Sequence, residues 1–364
     1  MAEIKKIPWE ERINYIVENS PLDLPRLTKE EMKKMVETIT RVREFTYRSL
    51  SRLREEPKTM ALLKDEEVAR IVKGGIDTHC HGGAEPIARR ALESEIGVEY
   101  TKIGMKAVVI KTHYFPSTVS TMVAQHFVDQ WAKEHSMEPT RLLGGIVLSK
   151  ALGGFNPEAV RCASKFPTCA YMWMPSLDSI DQDIIVFGEN RGGLNPLDEK
   201  GNIRSELKEI FKVVAEKNLV LATGHYTHKF RKKIIEEAIA CGVKKIEVQH
   251  CNIGGGHPAS ATIDMMKEYI KMGEEAGIKL KLGMISLVIT SGIDPPVEGN
   301  EYIFRAVKQV GSEHFVFGTD YGQIHNHPHA IGIIGFVKHA IANGLNEEDL
   351  NKIMKENAEE LLNL

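Results

Sequence analysis

GIDTHCHGG, Gly75 to Gly83, follows a polar, helix-patterned region and stops on a glycine pair. Read as a strand, it turns successive side chains to opposite faces, so Asp77, His79 and His81 share one face while Thr78 and Cys80 share the other. Two imidazoles aimed at one point suggest a metal. Outward from this stretch, short apolar runs alternate with amphipathic helices. Candidate strands are Gly75 to His79, Ala107 to Lys111, Leu142 to Ser149, Cys169 to Met174, Leu219 to Thr223, Lys245 to Gln249, Lys279 to Ile285 and Phe315 to Gly318. Between them lie helices such as Asn156-Pro157 onward, Arg204 to Lys217, Lys229 to Cys241, Ala259 to Ala276 and Glu301 to Gln309, with Gly242 and Gly277 where helix-ending glycines belong.

Eight strand-then-helix units predict an α/β fold of the closed (β/α)8 TIM-barrel type, in which reactive groups come from the C-terminal ends of strands. An open doubly wound sheet would gather its polar residues mainly at one switch point; here they recur at strand ends all the way round. Residues 1–73 read as a helical N-terminal extension and 74–364 as the barrel. In the extension, Pro8 suits a first helical turn, and Thr28-Lys29-Glu30-Glu31 fits a capping box ahead of a periodic stretch reaching about Leu53. This prelude is expected to pack on the main domain, and a homo-oligomer formed through it is compatible with the pattern.

At 364 residues, 42% hydrophobic and 27% charged, the composition is that of a globular chain with a sizeable core. A net charge of −3, with acids and bases interspersed and no basic tract, argues against a nucleic-acid partner. No stretch approaches the length needed to span a bilayer, and the amphipathic start lacks the layout of a secretory signal. The 5 cysteines include no C-x-x-C pair, so a reduced, cytoplasmic protein without membrane attachment is expected.

Chemistry gathers around histidine. Of the 14 histidines, only His126, His135, His314 and His339 lie away from predicted strand ends. His79 and His81 on the first strand, His225 after LVLATG on the fifth, His250 after KIEVQ on the sixth and Asp320 in FVFGTDYG on the eighth can all face one axis. Imidazole with carboxylate suits a divalent ion: zinc first, manganese or iron as alternatives.

This ordered set, GIDTHCHG, ATGH, VQHC and FGTDYG across Gly75 to Tyr321, resembles the amidohydrolase superfamily of metal-dependent barrel hydrolases. The resemblance implies that His79, His81 and Asp320 bind one metal. It also implies that His225 and His250 bind a second; in single-metal members His225 completes the site and His250 polarises the substrate. Many members bridge two metals with a carboxylated lysine or a glutamate on the fourth strand, whereas CAYMWMPSLDS carries neither at the expected end. Lys111 closes the second strand with the same parity as His113 and is the substitute bridge proposed here; Lys150, closing the third, is a weaker one. Whether one or two ions bind is left open by this departure.

The expected reaction is hydrolysis of a small molecule at an amide, cyclic amide, lactone or related C–N or C–O bond. Asp320 takes a proton from metal-activated water and later protonates the leaving group. A single-metal decarboxylase or hydratase of a related branch, or a non-catalytic metal-binding barrel, is the alternative. His113, His228, His257 and Lys150 are the candidates for substrate contact, and Asp77, deeper on the face of the paired histidines, for orienting an imidazole. Arg89, Arg90 and Arg191 lie in rim segments, as do His325 and His327. The long segment Pro175 to Asn202, punctuated by Gly, Asn and Pro, reads as an excursion over the rim. The glycines of CNIGGGHPAS lack the G-x-G-x-x-G spacing of a dinucleotide site.

Overall fold

A computed structural model describes residues 5–8, 11–12, 14–15, 18, 66–83, 85–253, 257–287, 300–324, 326 and 328–364. The expected capping box at Thr28, the periodic stretch to Leu53, the glycine triplet 254–256, His325 and His327 lie outside the described residues. A short lead-in helix, Glu66–Val72, buries Val68, Ile71 and Val72 and delivers the chain to the first strand.

Eight parallel strands follow in strict sequential order. They are β1 Ile76–His81, β2 Ala107–Lys111, β3 Arg141–Val147, β4 Cys169–Trp173, β5 Val220–Ala222, β6 Lys245–Val248, β7 Lys279–Ile285 and β8 Phe315–Gly318. The cylinder closes between the last strand and the first: the Asp320 amide donates to His79 O at 2.7 Å and the His81 amide to Tyr321 O at 2.6 Å. A bulge between Asp77 and Cys80 shifts the register of β1 on β2 and re-aims its end.

Alternation along the strands sorts the apolar residues into two layers. Val108, Ile110, Leu142, Ile146, Met172 and Leu221 face outward into the shell beneath the helices, whereas Ala107, Val109, Leu143, Val147, Tyr171, Trp173, Val220 and Ala222 fill the lumen. Gly145 shares the lumen parity of Leu143 and Val147, and a Cβ there would stand 2.1 Å from Tyr171 O and 2.6 Å from the Trp173 ring, so only glycine fits. Lys111 continues the lumen parity of Ala107 and Val109, which brings an amine into the barrel.

The outer ring is α1 Glu93–Lys102, α2 Ser117–Glu134, α3 Pro157–Ala163, α4 Ser205–Glu216, α5 His228–Ala240, α6 Ile263–Glu275, α7 Asn300–Val310 and α8 His329–Ala342. Local signals set several starts: Asn156 accepts from the amides of Glu158 and Ala159 ahead of Pro157, and Thr262 caps α6 through Met265 N. The chain from Glu347 to Leu362 closes the floor, where Ala358 and Leu361 pack against Ile76, Val109 and Val316. Asn357 Nδ2 donates to the carbonyls of Ser312 and Phe315 at 2.8 and 2.7 Å. No helix among the described residues is long and apolar enough to cross a membrane.

Candidate metal centre

The C-terminal ends of β1, β5, β6 and β8 bring His79, His81, His225, His250 and Asp320 to one mouth. Donor atoms of His79, His250 and Asp320 all lie within 4.8 Å of one another. Asp320 Oδ1 is 3.0 Å from His81 Nε2 and 3.4 Å from His79 Nε2. The rings form a continuous chain: His113 stacks on His81 at 4.8 Å, His81 meets His79 at 5.2 Å, His79 meets His250 at 4.8 Å, and His225 lies 5.0 Å from His250 and 4.6 Å from His257.

Two of these residues sit on unusual backbone. His250 has φ 56° and Asp320 φ 53°, in the left-handed region. The other described non-glycine residues there, Ser136, Asn218 and Asn363, directly follow or terminate helices, where that conformation is ordinary. At a strand end it turns a side chain across the mouth that the pleat would send elsewhere, at a cost of about 1–3 kcal/mol.

The electrostatics suit cation binding. Burial holds the imidazoles of His79, His81, His225 and His250 well below their ordinary pKa, and neighbouring cations, Lys111 among them, press the same way. Neutral imidazole is the ligating form. Burial raises the Asp320 carboxyl, while His250, Lys111 and Arg89 oppose the rise. Lys111 is fully buried and pushed down to about 8 by desolvation, against the attraction of Asp320 and Glu247.

Several buried nitrogens have no hydrogen-bond partner among the described residues: His79 Nε2, His225 Nε2, His250 Nδ1 and Lys111 Nζ. An unpaired buried polar atom is costly unless something meets it, and the two imidazoles and carboxylate of His79, His250 and Asp320 are a donor set that a zinc-like ion takes with positions left open. The residues present therefore fit one divalent ion. Partners on the far side of the rings support that use. His81 Nδ1 lies 2.8 Å from Lys111 O, and donating its proton there leaves Nε2 with a free lone pair. Arg89 stands 3.2 Å from the same nitrogen but is held by Glu85 at 2.5 Å. His225 Nδ1 is 3.1 Å from Gln182 Oε1, which accepts its proton in the same way; at His79 the Gln249 side-chain amide presents Nε2 to Nδ1 at 2.9 Å, so ligation through His79 Nε2 calls for that amide to be turned with Oε1 toward the ring.

A family model described as "Family of unknown function (DUF6282)" matches residues 74–275, more than half of the chain. The chain belongs to DUF6282. No curated protein matches it. Among solved structures, an amidohydrolase from Pseudomonas aeruginosa is similar over 82% of this chain and 97% of its own, at 16% identity and a TM-score of 0.55. The probable dipeptidase PvdM from Pseudomonas aeruginosa is similar over 84% and 98%, at 10% identity and 0.53. The phosphotriesterase homology protein from Escherichia coli, complexed with phosphate in its active site, is similar over 80% and 99%, at 11% and 0.51. At such identities the likeness is one of fold.

Other residues singled out in this DUF6282 sequence have different places. Asp77 touches no imidazole ring. Its carboxylate accepts from the backbone amides of His79 and Thr319 and from the hydroxyls of Thr319 and Tyr100, so it ties the end of β1 to the end of β8. His228 opens α5 and pairs outward, with Tyr269 Oη at 2.8 Å and Glu268 at 3.1 Å, away from the mouth. Lys150 is exposed and donates to Arg191 O at 2.7 Å, because β3 ends at Val147 and the chain has already turned outward. His113 and His257 do reach the histidine chain.

Sequence reasoning missed Gln182, Gln249 and Arg231. Arg231 is wholly buried and donates to Gln249 O at 2.7 Å, bracing the end of β6 from α5. Its position inside an apolar helix face was the available signal. His113 also lies beside Tyr114, Ser149, Ser176 and Asp178, and among the described residues neither buried serine hydroxyl has a hydrogen-bond partner.

Proposed function

We propose that this DUF6282 chain is a metal-dependent hydrolase of a small molecule, cutting an amide, cyclic amide, lactone or related C–N or C–O bond. The observation that carries the reading is the approach of the His79, His250 and Asp320 donor atoms to within 4.8 Å of one another at the mouth of a parallel barrel. Similarity in fold to an amidohydrolase and to a probable dipeptidase supports it. His81 and His225 complete the donor set. Zinc is the ion of choice, with manganese or iron as alternatives.

A divalent ion held by these residues supplies a water acidic enough to ionise near neutral pH and an electrophile for the substrate oxygen. Asp320, more basic than an exposed carboxylate because it is buried, accepts the proton of the attacking water. It later returns that proton to the departing nitrogen or oxygen. With two ions bound, His250 and His225 would hold the second; with one, His250 is left to polarise the scissile carbonyl by hydrogen bonding. His113 and His257 flank the reacting group. Lys111, with its amine pushed down to about 8, is able to become a neutral or carboxylated ligand to a second ion. The barrel, residues 74–364, carries this chemistry in a cytoplasmic enzyme, with residues 1–73 as an extension.

A single-metal decarboxylase or hydratase is the second reading. Two observations favour it: β4 runs on into Met174, Pro175 and Ser176 without a lysine or glutamate, and the three-donor cluster among the described residues suits one ion. Metal analysis of the purified protein, followed by a panel of amides, cyclic amides, lactones and carboxylic acids, decides between them. Hydrolysis of a panel member is the expected result. Carbon dioxide release with one ion per chain selects the second reading, and bound metal without turnover of any compound overturns both.

A further inference from the structure

Two tracts far apart in sequence meet beside His225. Lys5–Lys6 pairs antiparallel with Glu189–Asn190, and the Ile7 amide donates to Gly188 O at 2.8 Å. The Arg12 guanidinium donates to Ile184 O at 3.0 Å and Ile185 O at 2.6 Å. These carbonyls belong to the widened helical turn Gln182–Phe187, whose C-terminal end a cation suits. Tyr15 Oη donates to Asp181 Oδ1, and Asp181 Oδ2 accepts the Thr227 amide at 2.6 Å.

Ser179, just ahead of this turn, and Gln182, its first residue, grip His225 from both sides. Ser179 Oγ donates to His225 O at 2.6 Å, and Gln182 Oε1 faces the ring nitrogen Nδ1 at 3.1 Å. Widened turns of this kind recur at functional sites because they present a side chain that a regular helix would aim elsewhere. Here that side chain is Gln182. Part of the long segment expected over the rim is thus held by Lys5, Lys6, Ile7, Arg12 and Tyr15.

We infer that the N-terminal arm, through Arg12 and Tyr15, is a brace that fixes Gln182 and with it the ring of His225. Gln182 is the positioning residue; Arg12 and Tyr15 hold Gln182. The consequence for metal binding rests on the reading of His225 as a ligand, whereas the brace itself does not.

Hydrogen–deuterium exchange on the full-length protein tests the brace directly. In Tyr15→Phe and in Arg12→Ala/Tyr15→Phe, uptake should rise by roughly five-fold or more in peptides covering 179–188 and 223–228, a local opening that leaves 76–81 as in wild type. Unchanged uptake at 223–228, or an equal rise at 76–81, overturns the inference, whether or not metal binds. Titration with cobalt(II) alone, followed by its visible absorption, then reads the ring. The double variant and Gln182→Ala should each bind the ion roughly 10-fold more weakly with an altered band, the usual scale for losing a partner of a ligand imidazole. Raised exchange with a wild-type cobalt band and affinity would overturn the link to the ring. Failure of the wild type to bind cobalt would remove His225 as a ligand, while the exchange result still decides the brace.

Discussion

At the floor of the barrel the Asn357 and Lys281 side chains find partners, although Asn351 Oδ1 has none among the described residues. Asn357 donates to Ser312 O and Phe315 O, and Lys281 meets Glu313 O at 2.9 Å and Glu360 at 2.8 Å. At the mouth, the length of one strand away, His79, His225, His250 and Lys111 each keep a buried nitrogen unmatched. Both ends are built by the same parallel strands, so strand geometry does not account for the contrast. The floor spends its polar groups on holding the fold together, whereas the mouth withholds them for something that arrives later.

The largest expected effect belongs to the mouth. Asp320→Asn keeps the shape and removes the proton acceptor, so turnover of whichever panel compound the wild type accepts should fall about 10³-fold, with the thermal midpoint not lowered. Activity within tenfold of wild type would mean that the unmatched donors serve binding alone. Next comes the floor: Asn357→Ala leaves two carbonyls unmet and should cost about 2 kcal/mol in urea unfolding, with metal content unchanged. Loss of metal in that variant would break the division between the two ends. The smallest effect is Glu360→Gln. Its side chain is 48% exposed in the pair with Lys281, so the loss should stay below about 1 kcal/mol and shrink further in salt.

Much of this contrast was legible in the sequence. Strands at Ala107–Lys111, Lys279–Ile285 and Phe315–Gly318 have the expected ends, because short apolar runs between helix signals leave few alternatives. The histidines of β1, and those after β5 and β6, converge because residues at strand ends share one rim. What stayed hidden depended on tertiary partners. His228 has the same local context as His225, yet Tyr269 and Glu268 on α6 draw it outward. Lys150 looked like a strand-end residue until β3 stopped at Val147. The N-terminal arm carries no periodic signal linking it to Gln182, since its contacts are a two-residue strand pairing and the hydrogen bonds of two side chains to residues more than 160 positions away in the chain.

The left-handed backbone at His250 and Asp320 sets stability against chemistry. Glycine takes that conformation freely, whereas histidine and aspartate are held in it against their preference. Replacing either residue by glycine would therefore relieve backbone tension of about 1–3 kcal/mol while removing a donor atom from the mouth.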